Sequence, residues 1–343
     1  MILRKKALKQ VALATTCAML MLAPTVQADT IRMKFAHQNN VYDADQLLAE
    51  TFKSIVEEKT GKDLKVSIYP GTLTGSEEEA LEFAKAGTVA LAATSAGHIA
   101  GYYEDIQFLQ LPYLFKSKEH YKVARSSSVV KEILAGASKA TGMKALGVYS
   151  DCNGFAVASK KPINSLADAK GVKLRAMQNP LFIDIYEAFG FTVTPTDWGE
   201  LYTSLQTGMV EADDLGVYCN DIFKMSEVVD SYAILNQMWT QKILFMSPKV
   251  WDQLTAEQKV IDTDAAEEAI ELTDAWQYAR EEQYIETVKG DKDQTITYPD
   301  TAEFKKASEP VYKKWFAKQA KWKAWYDQIQ YLDPNARLPK AFK

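Results

Sequence analysis

Arg175 is the first residue whose type and place suggest chemistry. It closes the run 172–175, which reads as a β-strand, and the C-terminal edge of a strand is where α/β clefts take ligands. A guanidinium there can meet a carboxylate or sulfonate through two parallel N–H bonds. The ordinary alternative is a salt bridge to a neighbouring helix. Gln178 and Asn179 follow closely enough to share its site. Catalytic sets are missing from the chain. The three histidines, His37, His98 and His120, form no H-E-x-x-H motif, and no C-x-x-C occurs, so a zinc site is not expected. There is no G-x-G-x-x-G, no G-x-x-x-x-G-K-[ST] and no G-x-S-x-G. Acid pairs are plentiful, but most fall on helix faces, where solvated charge is the default. No cofactor is called for.

The elements that must position Arg175 fall into two similar groups. A strand over 31–36, a helix over 43–60 stopped by Gly61, a strand over 64–69, a helix opening at Ser76 and a strand over 89–94 form a β-α-β-α-β unit. That order predicts a parallel sheet with right-handed crossovers. Ser76 and Glu79 have the spacing of a capping box, as do Thr255 and Gln258. Strands over 143–149 and 155–159 follow, joined by Ser150-Asp151-Cys152-Asn153-Gly154. A second alternation then begins: a short helix over 165–170, the 172–175 strand, a helix over 181–189, a strand over 192–194, a helix over 199–206 and a strand over 210–214. The chain therefore reads as two α/β lobes with a crossing near residue 152. From Thr255 no Gly or Pro appears until Gly290, and Ile261, Ala265, Ala269, Leu272, Trp276 and Ala279 make one stripe. A single helix there would be about 50 Å long, enough to lie across both lobes; two shorter helices are the alternative. The segment 312–329 reads as an amphipathic helix, aromatic on one side and lysine-rich on the other. Such a helix either lies on a membrane surface or docks on its own lobe with a solvated lysine face; docking is the commoner outcome.

Composition bounds the rest. The chain has 343 residues, 47% apolar and 25% charged, with room for two domains. Residues 1–28 carry Arg4, Lys5, Lys6 and Lys9 and no acid, so the remaining 315 residues hold 36 basic and 45 acidic side chains, a net charge of −9. A net-acidic body argues against nonspecific nucleic-acid or anionic-membrane binding. The basic start, the apolar run 11–23, Pro24 and Val26-Gln27-Ala28 read as a secretory signal cleaved after Ala28. No later window is apolar enough to span a bilayer. Beyond the signal, Cys152 and Cys219 are the only cysteines and can form at most one bridge, though spacing does not show proximity. A two-lobed exported chain without a catalytic set suggests a binding protein whose ligand sits between the lobes.

The stretch from Gly154 to Gly216 carries a resemblance. It reads G-F-A-V-A-S-K-K-P-I-N-S-L-A-D-A-K-G-V-K-L-R and then Gln178-Asn179-Pro180. It continues with Ala188-Phe189-Gly190-Phe191-Thr192-Val193-Thr194-Pro195, Trp198-Gly199-Glu200-Leu201-Tyr202 and Leu205-Gln206-Thr207-Gly208-Met209-Val210-Glu211-Ala212-Asp213-Asp214. Upstream lie Tyr69-Pro70-Gly71-Thr72-Leu73-Thr74-Gly75 and Gln110-Leu111-Pro112-Tyr113-Leu114-Phe115. In this order the motifs resemble the DctP-type solute-binding proteins of TRAP (tripartite ATP-independent periplasmic) transporters, over essentially the whole mature chain.

The resemblance implies an α/β, two-lobed periplasmic binding protein fold with a ligand cleft and a long helix spanning both lobes. Lobe I is expected over 29–151 plus 241–282 and lobe II over 152–240 plus 283–343. It implies a periplasmic receptor, not an enzyme and expected to be a monomer. The receptor would clamp a small organic anion and deliver it to a permease of one small and one large membrane subunit. An ion gradient would drive transport. A sensing role through a receptor kinase is the alternative, and a periplasmic enzyme a weaker one. Arg175 matches the family's anion-binding arginine, and Trp198 its aromatic residue before the Glu-Leu-Tyr run, which packs on ligand or in the core. Gln38, Ser95 and His98 fall where relatives line the first lobe's side of the cleft, and Tyr218 is counted with the contacts. Three departures bear on the ligand. Ala156 stands where some relatives have a second arginine. Asp213-Asp214-Leu215 stands where the family often reads Q-E-N, so Leu215 replaces a ligand-binding Asn. One anion clamp is lost and one acid gained. That points away from a sialic-acid-like ligand and admits a monoanion, or a zwitterion whose cation meets Asp213. Asp214 matches the family's Glu and is either a contact or structural.

Overall fold

The computed structural model describes residues 30–336 apart from Thr72, Thr74, Asp151 and Cys152. The signal segment and its cleavage point lie outside the described residues. Asp43 accepts the amide of Asp45 and starts α1 (Ala44–Lys59), whose Leu48, Phe52 and Val56 are buried. These side chains pack against Met33 and Phe35 of β1 (Ile31–His37) and Leu64 and Val66 of β2 (Leu64–Pro70). Ser76 caps α2 (Glu77–Ala86), and Gly87 ends it in the left-handed region at φ 79°. The capping box expected at Ser76 is half formed. Ser76 accepts from the Glu79 amide, but the Glu79 carboxylate takes the Gly75 N–H instead, at 2.7 Å.

After β3 (Leu91–Ser95) come α3 (Lys118–Arg125), α4 (Ser128–Thr141) and β4 (Lys144–Ser150). The chain then crosses to a second sheet. This is built from β5 (Asn153–Ser159), β6 (Lys173–Ala176), β7 (Thr192–Pro195), β8 (Ala212–Leu215) and β9 (Ser231–Ile234), with α5 (Pro180–Ala188), α6 (Leu201–Thr207) and α7 (Val217–Ile222) between them. The short helix expected over 165–170 is a series of turns, its start held by Asp168, which accepts from the Asn164 amide and the Ser165 hydroxyl. The chain returns to the first sheet as β10 (Gln241–Met246) and contributes β11 (Thr295–Thr297) to the second.

The first sheet has the order β2-β1-β3-β10-β4 and the second β11-β9-β5-β8-β6-β7. The expected parallel set is present in β2-β1-β3, but β10 runs antiparallel to both β3 and β4, and β5 antiparallel to both β8 and β9. Both sheets are therefore mixed, because each receives a strand from a chain that arrives from the other lobe.

One unbroken helix, α8 (Ala256–Lys289), spans 34 residues, with the full Thr255–Gln258 capping box. Its first half packs Ala265, Ala266, Ala269 and Ile270 on the first lobe. Its second half packs Trp276, Tyr284, Ile285 and Val288 on the second. Two buried carboxylates pin it. Asp274 accepts the Ser150 amide at 2.8 Å and pairs with Arg125, and Glu281 accepts the amides of Val217 and Tyr218 at 2.8 and 3.0 Å.

The C-terminal region differs from expectation. The helix expected over 312–329 is two helices, α10 (Glu309–Lys318) and α11 (Ala320–Gln330), broken at Gln319 with φ −126° and ψ 84°. They follow α9 (Thr301–Ala307). On α10, Lys314 and Trp315 bond Asp184 of the second lobe at 2.7 and 2.9 Å. On α11, the Trp322 indole donates to Asp105 at 2.9 Å, and the Ile329 carbonyl lies 2.9 Å from His120 Nε2, both in the first lobe. Within the stretch 283–343, expected in the second lobe, α10 touches both lobes and α11 touches the first. The break at Gln319 involves no Gly or Pro, and the end of α10 already meets the first lobe through Lys318 and Glu104. The lysine face is largely paired: Lys314 with Asp184, Lys318 with Glu104 and Lys321 with Asp105. Cys219 is buried and disulfide-bonded; Cys152 lies outside the described residues.

Candidate functional site

A cleft of about 1040 Å³ lies between the lobes at the C-terminal ends of β1, β3, β6 and β7. Local chemistry brings Arg175 to it. Leu174 of β6 is buried in the core and Arg175 beside it is 4% exposed. The Arg175 Nε–H donates to the Thr196 carbonyl at 3.0 Å, and Nη1 lies 3.8 Å from Asp214 Oδ1. No further hydrogen-bond partner of the guanidinium is found among the described residues, and Arg175 lines the cleft. Trp198 stands 6.0 Å from the guanidinium carbon and is held edge-on by Phe223 at 4.8 Å. A fixed cation beside a half-buried indole can grip an anion whose body is partly apolar.

The first lobe supplies the opposite wall. Gln38, Ser95 and His98 line the cleft. So do Lys242, Glu77, Asn39 and Gln107, which sequence reasoning missed. Lys242, 2% exposed, lies 2.8 Å from Asp45 and 3.0 Å from Glu77. Glu77 also accepts the Ser95 amide at 2.6 Å and sits 3.0 Å from His98 Nδ1, while His98 Nε2 lies 3.2 Å from Glu78. Burial pushes the Glu77 carboxyl up, but Lys242, His98 and the Ser95 amide outweigh it and hold it at about 2. Burial pushes His98 down, and the carboxylates of Glu77 and Glu78 more than reverse it, so its pKa is raised. A neutral imidazole has one N–H, so only the protonated ring can donate to both acids.

Gln178 and Asn179 line the cleft but their amides are engaged. Gln178 donates to Asp197 at 2.9 Å. Asn179 caps α5 and donates across the lobes to the Gly97 carbonyl at 3.1 Å. The lobes meet closely here: a Cβ on Gly97 would stand 2.3 Å from the Met177 sulfur, so glycine admits this contact without displacing Met177.

Three expected site residues lie elsewhere. Asp213 is fully buried on β8; its Oδ1 accepts the Leu215 amide at 2.9 Å and the Asn220 side-chain amide at 3.3 Å, and it does not line the cleft. Burial and then the neighbouring Asp214 push its carboxyl up to about 7, despite those two hydrogen bonds and Arg175. Asp214 stands behind Arg175 and accepts from the Tyr186 hydroxyl at 3.0 Å, so it backs the cation. Burial raises its pKa, opposed by Arg175 and Tyr186. Tyr218 packs on Trp276 and Tyr284 of α8, away from the cleft. Of the missed residues, Lys242 had one signal, a lysine at the head of the apolar run 243–246. Glu77 had none, since an acid in a helix's first turn is ordinary.

Two lobes, a mixed sheet in each, a cleft with one anchored cation and a helix across both match a binding protein of the two-lobed periplasmic class. The sequence profile described as bacterial extracellular solute-binding protein, family 7, matches residues 35–319. The chain belongs to this family, that of the TRAP-transporter solute-binding proteins, which are periplasmic and work with membrane permeases. A solute-binding protein of Verminephrobacter eiseniae is 27% identical over 320 residues, 92% of this chain and 94% of that one. The ectoine-binding periplasmic protein TeaA of Halomonas elongata is 25% identical over 295 residues, covering 84% and 86%. A crystal structure of a TRAP periplasmic solute-binding protein from Polaromonas, bound to D-erythronate, superposes with a TM-score of 0.81 at 27% identity, covering 90% of this chain and all of that one. Members of the family are binding proteins, and no helix among the described residues is long and apolar enough to cross a membrane.

Proposed function

We propose that this chain captures a small hydroxylated monocarboxylate between its lobes and delivers it, in the closed state, to a permease of one small and one large membrane subunit. The observation that carries the reading is the Arg175 guanidinium, buried at the end of β6, anchored by Thr196 and Asp214, and facing an interlobe cleft. The carboxylate would sit on Arg175 against Trp198. Hydroxyls would meet Gln38, Asn39, Ser95 and Gln107 on the other wall. With Asp213 outside the cleft, a ligand ammonium loses the partner that favoured a zwitterion. The protein would act as a monomer exported with cleavage after Ala28, and would bind without turnover. Calorimetry with D-erythronate and ectoine tests the ligand class. The hydroxy acid is expected to bind more tightly by at least tenfold; equal affinities, or a preference for ectoine, would overturn the choice of a plain acid.

A further inference from the structure

The lobes meet again through groups that do not line the cleft. The Asn40 side-chain amide donates to the Ile222 carbonyl at 3.2 Å, and the Tyr218 hydroxyl donates to the Tyr42 carbonyl. Both acceptor and donor of the second lobe belong to α7, a helix of six residues. Its last carbonyl takes Asn40, and its Tyr218 reaches Tyr42. The segment 40–42 is shaped for this by its own turn, in which Asn40 Oδ1 accepts the Tyr42 amide at 2.8 Å.

α7 is in turn tied to the helix that spans the lobes. Glu281 of α8 accepts the Val217 and Tyr218 amides, and the Tyr218 ring packs between Trp276 and Tyr284 at 5.5 and 5.4 Å. A groove of about 460 Å³ opens beside this contact, lined by all three segments, and Tyr42 at its rim is 71% exposed. These contacts exist only when the lobes are together, and none of them touches the cleft.

We propose that Asn40, Tyr218 and the carbonyls they engage form a latch that sets how much of the protein is closed, independently of the ligand's chemistry. The proposal rests on ligand capture by hinge closure. Tyr218 and Asn40 are then positioning residues for closure and not ligand contacts. If only the closed state holds ligand firmly, apparent affinity scales with how easily that state is reached. Losing one such hydrogen bond should weaken binding about two- to tenfold. The factor should be the same for every ligand, because no ligand touches the latch.

The test uses the mature protein and its Tyr218→Phe and Asn40→Ala variants, with D-erythronate and ectoine as probes. Each variant is expected to bind both probes about two- to tenfold more weakly, by one common factor and mainly through faster release. Small-angle scattering of the ligand-free variants is expected to show a radius of gyration above that of the unsubstituted protein, and melting temperatures should be nearly unchanged. Loss of affinity for one probe and not the other would make these residues ligand contacts and overturn the latch. So would affinities and release rates equal to those of the unsubstituted protein. If neither probe binds the unsubstituted protein, the ligand reading fails by itself. The ligand-free scattering curves then decide the latch: expansion in the variants upholds it, and superimposable curves overturn it.

Discussion

The second lobe's wall of the cleft offers one guanidinium backed by one carboxylate, while the first lobe's wall holds Asp45, Glu77, Glu78, His98 and Lys242 in mutual contact. Both walls contain buried charge, yet they use it differently. On the first lobe each charge is answered within the protein, so the network holds shape and presents neutral hydrogen-bonding groups beside it. On the second lobe the Asp214 contact is long, at 3.8 Å, and Arg175 keeps donors for something else. A buried ion network is therefore no mark of a binding site; a buried ion with donors left over is.

This contrast can be broken by mutation. Lys242→Met removes the cation shared by two buried acids and should cost about 3–5 kcal/mol of stability, since Asp45 and Glu77 keep only their hydrogen bonds and, for Glu77, His98. Denaturant titration at pH 8 reads it, and a loss below about 1 kcal/mol would show that the network is not closed on itself. Arg175→Ala should leave a folded protein, because Asp214 keeps its hydrogen bond from Tyr186, and burial, which Arg175 opposes, favours its neutral form. Its cost should fall on binding, about 2–5 kcal/mol or tens to thousands of fold by calorimetry. Reversed outcomes, with Lys242 governing affinity and Arg175 governing stability, would exchange the roles of the walls.

Smaller effects come from pH. Glu77 titrates at about 2 in the fold against an ordinary 4.5. Its contribution is complete above about 4.5 and is lost as pH falls toward 2. Asp213, Asp262 and Glu281 run the other way, each pushed up to about 7 with burial as the main cause. The folded chain then holds more protons than the unfolded one between about pH 4 and 7, so these groups destabilise it increasingly as pH rises through that window. Asp262 is the simplest case, since neither carboxylate oxygen has a hydrogen-bond partner. Asp262→Asn should raise stability by about 1–3 kcal/mol at pH 8 and change it little at pH 4. An equal effect at both pH values would mean that Asp262 is not carrying a buried charge.

Much of the scaffold could be read from local pattern. The α1 and α8 boundaries carry their own signals, in Asp43 and in the Thr255–Gln258 box, and Arg175 stands at a strand end. What could not be read depends on contacts distant in sequence. The antiparallel insertion of β10 is fixed by β3 and β4, which precede it by about a hundred residues or more. The break at Gln319 lies amid partners far away in sequence, Asp184, Glu104 and Asp105. Asp213 and Asp214 are adjacent in sequence, and strand alternation sends them to opposite faces of the sheet, so only one can stand behind Arg175. Which one does so is set by the register of β8 against β6, where Leu174 is paired with Ala212.

The most direct test of the central claim, that Arg175 clamps an organic anion between the lobes, is native mass spectrometry of the protein purified from the periplasm of a cell grown on mixed organic acids. One acid bearing a carboxylate or sulfonate should remain bound per chain. It should be released on denaturation and be absent from Arg175→Ala prepared in the same way. The same adduct on Arg175→Ala at equal occupancy, or a retained molecule with no acidic group, would contradict the account.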